Sequence, residues 1–233
     1  MELQVLFIGN SHTFLHYMPQ MLTELVRAAG QGWMLQAEQS VGDGASLEWH
    51  WNHAATQAKI AARRWDYVVL QDRSAGPLEN RESFERHARL LEATIRSQGA
   101  RTVFYMTWAK RARPETQALL SEAYGTIARE LGALLAPVGS AWQRAQQLDP
   151  EILLHHADGR HANPAGSYLA ACVFFAVLLG ASPVGLPGRM DIQGKMRPDL
   201  APGAAALLQQ AAWDTVLQAQ GKDETRHDES RHF

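Results

Sequence analysis

Short apolar runs alternate with longer amphipathic segments from residue 5 to residue 148, and a chain patterned that way has few ways to fold. The apolar runs at 5–8, 33–37, 67–70, 102–106 and 134–138 read as strands. The segments at 18–29, 47–63, 81–97, 115–131 and 141–148 read as helices. The run Tyr67-Val68-Val69-Leu70 is apolar throughout rather than alternating, as a strand covered on both faces must be. Strand-helix alternation with right-handed crossovers builds a parallel sheet with helices on both faces, an α/β protein. In such sheets the ligand crevice lies beyond the carboxyl ends of the strands, near the switch in strand order. Residues that carry chemistry are therefore expected just after a strand.

The last third is less regular. Asn163-Pro164 is a strong helix start, a capping side chain followed by a ring that presets the first helical φ. That helix is expected to stop at Gly180, followed by a loop over 181–202 and a final helix over 203–220. The 233 residues fit one domain over 1–220, with a tail over 221–233 too polar to bury anything and expected to be mobile. A formal charge of −2 and the lack of any Lys/Arg block give no support to nucleic acid or a membrane as a partner. The one cysteine, Cys172, sits in an apolar run and reads as a buried, inert thiol. The N-terminal run reads as a first strand rather than a signal peptide. The apolar stretch at 169–179 is too short to span a bilayer. A cytoplasmic protein is expected, with export open if a leader has been removed. The pattern does not reveal an oligomeric state.

Two constellations carry the chemistry. Gly9-Asn10-Ser11 follows the first strand, where a serine hydroxyl faces the crevice and the next backbone N–H groups can cradle an oxyanion. The same residues are also common turn chemistry. Asp158-Gly159-Arg160-His161 stands just before the Asn163-Pro164 helix start. A serine needs a base to take its proton, and a carboxylate on the far ring nitrogen orients that imidazole. A solvated turn is the alternative. His155, His156, Asp158 and His161 also suggest a metal site, but adjacent His155 and His156 converge poorly on one ion, and no metal is assigned.

Four further groups fall at the same sheet edge. Gly44, after the second strand, allows close approach of a backbone N–H to a ligand. Gln71, after the third, offers an amide donor. Trp49, Trp51 and Trp108 form either an aromatic floor for a sugar ring or plain core. Lys110, Arg111 and Arg113 suit an acidic or polyhydroxylated substrate, or simply a solvated loop.

Four blocks in this order resemble the SGNH/GDSL hydrolase superfamily, whose members are esterases, lipases and carbohydrate deacetylases. Gly9-Asn10-Ser11 stands where that superfamily has Gly-Asp-Ser, Gly44 matches the second block, and Asp158-x-x-His161 matches the last. The resemblance spans residues 5 to about 175. It is strongest to a bacterial subgroup with Ile-Gly-Asn-Ser-x-Thr at the start. Two departures stand out: Asn10 replaces the first-block acid, and Gln71 replaces the third-block Asn. The resemblance implies a three-layer α/β/α sandwich around a five-stranded parallel sheet, flavodoxin-like, with no metal or organic cofactor. It implies a serine esterase acting on small acyl esters, O-acetyl groups on carbohydrates among them. Ser11, His161 and Asp158 are then catalytic. Ser11, Gly44 and Gln71 hold the oxyanion, and Asn10, Trp49 and Trp108 bind a small-molecule ester. An acyltransferase with the same triad, or a catalytically impaired carbohydrate-binding module, are the alternatives.

Overall fold

In the computed structural model, which describes residues 2–229, the expected alternation is present throughout. Its strands are β1 (Glu2–Gly9), β2 (Met34–Val41), β3 (Tyr67–Leu70), β4 (Arg101–Tyr105), β5 (Leu134–Ala136), β6 (Arg189–Ile192) and β7 (Lys195–Asp199). Its helices are α1 (Ser11–Phe14), α2 (Met18–Ala28), α3 (Leu47–Asn52), α4 (Ala54–Ala61), α5 (Gly76–Glu79), α6 (Arg81–Ser97), α7 (Gln117–Leu131), α8 (Val138–Leu148), α9 (Pro164–Leu179) and α10 (Pro202–Glu229). Strands β1 to β5 form one parallel sheet in the order β2-β1-β3-β4-β5. The chain runs from β1 out to β2, then crosses back to β3 on the other side. The order therefore switches at β1, and the crevice opens at its carboxyl end.

The three layers follow from the period-two geometry of buried strands. Val5 and Phe7 of β1, with Val69, Val103 and Tyr105, point into a core shared with α2, α8, α9 and α10. Leu6 and Ile8, with Val68, Leu70 and Phe104, point into the other core, shared with α3, α4, α6 and α7. Helix α9 is buried on nearly every side, from Gly166 to Ala176, because it lies between the sheet and α10. Asn163 caps it by accepting from Gly166 N–H at 3.0 Å, and Gly180 closes it at φ 63°. Cys172 lies fully inside this helix, where burial pushes its thiol pKa far up and leaves it inert. Among the described residues no helix is long and apolar enough to cross a membrane.

Three expectations need correction. The helix over 47–63 is two helices, broken where His53 turns extended at φ −92°, ψ 107°. The loop over 181–202 contains the antiparallel hairpin β6–β7. Its two-residue turn has Gln193 and Gly194 at φ 55° and 74°, the paired positive values of a primed hairpin turn. The final helix continues past 220 to Glu229, since no proline interrupts a run of helix formers after Gly221. It thereby takes in most of the segment expected as a mobile tail, and residues 230–233 lie outside the described ones.

Candidate active site

The loops after β2, β3 and β4 converge on the end of β1. There Gly9 is required by close approach: a Cβ would lie 2.5 Å from both Gln71 Oε1 and Thr13 Oγ1. Asn10 follows as the N-cap of α1, accepting from His12 N–H at 3.1 Å. Ser11 is the first residue of that short helix, half-buried at the crevice.

Ser11 Oγ lies 3.0 Å from His161 Nε2, and His161 Nδ1 lies 2.6 Å from Asp158 Oδ2. A carboxylate only accepts, so the imidazole proton sits on Nδ1 and Nε2 is left to accept from the serine. Asp158 Oδ1 also accepts from the N–H groups of Arg160 and His161, at 2.9 and 3.0 Å. The bond to His161, with those backbone donors, holds the Asp158 carboxyl well below its usual range, against a smaller opposing effect of burial. It is therefore ionised wherever the imidazole can act as a base.

The loop carrying this pair is fastened at several points. His155 pairs with Ala162 across an antiparallel bridge, and Gly159 N–H bonds to His156 O at 2.9 Å. Arg111 N–H donates to Gly159 O at 2.8 Å, tying in the loop after β4. The Trp108 indole N–H donates to Arg160 O at 3.0 Å. Behind it a ladder of rings runs into the core. Trp142 stacks on Trp108 at 4.2 Å, Trp108 on His12 at 4.7 Å, and His12 stands 5.4 Å from His161.

Gly44 sits at φ 61°, exposed, and lines the crevice with Ser11 and His161. Among the described residues, neither the Ser11 nor the Gly44 backbone N–H has an acceptor. Two donors are thus open at the mouth of the site.

The other anticipated residues are placed differently. Gln71 is fully buried, and its amide is spent inside the protein. Its Oε1 accepts from Asn10 N–H and Thr13 Oγ1, both at 2.9 Å, and its Nε2 donates to Asp72 O. It supports the turn over 9–13, and neither end of its amide faces the crevice. Asn10, expected to bind substrate, is also buried. Its Nδ2 donates to Ala45 O at 2.9 Å and Asp72 O at 3.4 Å, tying the turn to the loops after β2 and β3. Trp108 is no sugar floor, since Trp142 and His12 flank its ring and it is 2% exposed. Trp49 is 40% exposed but stacks on His53, away from the residues lining the crevice. His155 turns to Ala109 O at 3.0 Å, and among the described residues no three His, Cys, Asp or Glu side chains form a metal-holding group.

Sequence reasoning missed His12. It follows Ser11 directly, yet it is buried, and neither ring nitrogen has a partner among the described residues. Only the inward turn of α1 reveals it. Backbone strain was equally unforeseen. His16 and Tyr17, which join α1 to α2, adopt φ 55° and 59°, a left-handed pair costly for non-glycine residues, with His16 at the crevice rim.

Two buried imidazoles make stability depend on pH. Burial lowers the pKa of His12 to about 3 and of His50 to about 4; His50 bridges Gly9 O and Thr56 Oγ1. In the unfolded chain both return to about 6.5. Below that value the unfolded state binds protons that the folded state refuses, so the stability present above pH 6.5 is lost as pH falls toward 4. Each ring contributes on the order of 3 kcal/mol to that loss. The melting temperature is expected to drop steeply from pH 7 to 4.5, with a shallower slope in His50→Gln. A melting temperature flat over that range contradicts this reading.

Comparison with solved structures places this chain in a family. An SGNH hydrolase assigned in Slackia heliotrinireducens matches 76% of this chain and 100% of its own, at 32% identity and a TM-score of 0.66. The chain belongs to the SGNH/GDSL hydrolase superfamily. A DUF4886 family protein from Bacteroides uniformis matches 93% of this chain and 95% of its own, at 20% identity and a TM-score of 0.73. An acetyl xylan esterase matches 75% and 98%, at 14% identity and a TM-score of 0.57. These last two share the fold. No family model and no curated protein matches the sequence.

Proposed function

We propose that the chain is a serine esterase of small acyl esters, with Ser11 as nucleophile, His161 as base and Asp158 as the carboxylate that orients it. The observation that carries this reading is the continuous relay from Ser11 Oγ to His161 Nε2 and from Nδ1 to Asp158 Oδ2, at 3.0 and 2.6 Å. His161 takes the Ser11 proton as Oγ attacks the ester carbonyl carbon. The tetrahedral oxyanion is received by the N–H groups of Ser11 and Gly44, fixed in place before the charge forms. His161 then gives its proton to the departing alcohol oxygen, leaving Ser11 acylated. Water, deprotonated by the same nitrogen, adds to the acyl group and releases the acid, and the proton returns to Ser11. Asp158 stays ionised throughout and stabilises the imidazolium.

Small acyl esters, O-acetyl groups among them, are the substrate class this reading takes, with the acyl carbonyl seated in the open cavity beside Ser11 and Gly44. The similarity to an acetyl xylan esterase agrees with that choice. A fluorophosphonate probe is expected to label the protein once, on the tryptic peptide that carries Ser11. Labelling that persists in Ser11→Ala, or that never occurs in the native chain, sinks the assignment.

A further inference from the structure

The crevice around Ser11 has two unlike sides. On one, a cavity of about 490 Å³ is bounded by Phe14, Leu15 and Ala162. On the other, a cavity of about 260 Å³ reaches from Ser11 and His161 to Arg73, Lys110 and Arg160. Arg160 borders both, together with a third hollow of about 350 Å³ that it shares with Lys110 and Arg111. Four cations thus gather along one rim of a chain whose net charge is −2.

One of the four is neutralised locally: Arg73 pairs with Glu79, which borders the same cavity, at 3.6 Å. Among the described residues, neither Lys110 nor Arg160 has an ion-pair partner, and the nearby Asp158 carboxylate is committed to His161. Nor are these residues on a loose loop. Arg111 N–H is bonded to Gly159 O and Arg113 N–H to Lys110 O, both at 2.8 Å, so the cation turn is stitched to the catalytic loop. His12 also borders this cavity and is kept neutral by its burial, so the positive charge there comes from the lysine and arginine side chains alone. Unpaired cations around a concave, partly apolar cavity focus a positive potential there.

We infer that the site selects esters bearing an anionic group, a carboxylate or a phosphate, held by Lys110 and Arg160 with Arg73 beside them. The uncharged part of the ester lies against Phe14, Leu15 and Ala162. This rests on the esterase reading for its chemistry but not for its binding, and the two can be tested apart.

The binding arm uses Ser11→Ala protein, which needs no turnover. Monomethyl succinate and methyl phosphate are titrated against the neutral methyl butyrate, with the melting temperature and isothermal heat as readouts. One or both anions are expected to bind at least about tenfold more tightly than the neutral ester, a charge-assisted contact's worth. Lys110→Gln and Arg160→Gln should each erode that margin, and Lys110→Arg should restore it. The kinetic arm compares para-acetoxybenzoate and para-acetoxyphenyl phosphate with para-acetoxybenzamide, and mono-para-nitrophenyl succinate with para-nitrophenyl butyrate. At least one anionic ester is expected to show a kcat/KM about tenfold higher, with the advantage shrinking as salt rises. Anions that bind no better than the neutral ester, or a margin untouched by both glutamine variants, overturn the inference. Anion binding without hydrolysis of any ester upholds the anionic subsite and overturns the esterase reading instead.

Discussion

Ser11→Ala is expected to cut turnover of para-nitrophenyl acetate by about a thousandfold or more, with unchanged circular dichroism. The hydroxyl is only half-buried and its one side-chain partner is His161, so its removal leaves no cavity to collapse. Asp158→Asn sharpens the result. Asparagine keeps an oxygen for the backbone N–H groups of Arg160 and His161, so the turn itself survives. It cannot keep an acceptor for Nδ1–H at the same time, and the imidazole is driven toward the tautomer that cannot receive the serine proton. A loss of about a thousandfold in kcat with little change in melting temperature is expected from the asparagine variant. Near-native kcat would mean that Asp158 only shapes a turn.

Trp108→Ala is expected to lower stability by about 3–5 kcal/mol, the range for emptying a large buried aromatic site, measured by urea unfolding. The loss comes from the Trp142 stack, the contact with His12 and the hydrogen bond to Arg160 O. Turnover should fall as well, because the catalytic loop loses an anchor next to His161. Trp108→Phe should recover most of the stability and fail to recover the hydrogen bond, a difference of about 1 kcal/mol. An aromatic floor for a sugar ring would give the opposite pattern, a raised KM in a protein of native stability.

That contrast shows what the sequence could and could not convey. Tyr67–Leu70 and Arg81–Ser97 stand where the pattern put them, because an all-apolar strand and an amphipathic helix have clear periods. The Asn163-Pro164 start was equally legible, since its capping chemistry is local. The expectation that functional residues follow strands pointed to Ser11 and Gly44, and the Asp158–His161 loop, read as preceding the Asn163-Pro164 helix start, meets them at one edge. It did not say which way a side chain turns. Gln71 and Trp108 both follow strands and both turn inward, Gln71 to Asn10 and Thr13, Trp108 to Trp142. His12 escaped notice for the same reason. The hairpin at 189–199 was hidden by a turn of Gln193-Gly194, where an Asn-Gly or Asp-Gly pair would have announced it.

Ser11 and His161 are separated by 150 positions; one opens the short helix that follows β1, while the other precedes α9, the helix that seals the core. A contact of that span closes late, after the nearer pairings have formed. Until α9 seats against α2, the serine has no base and is an ordinary alcohol. On the proposed mechanism the chain is therefore chemically silent while it is being made, and labelling of Ser11 would itself report that assembly has finished.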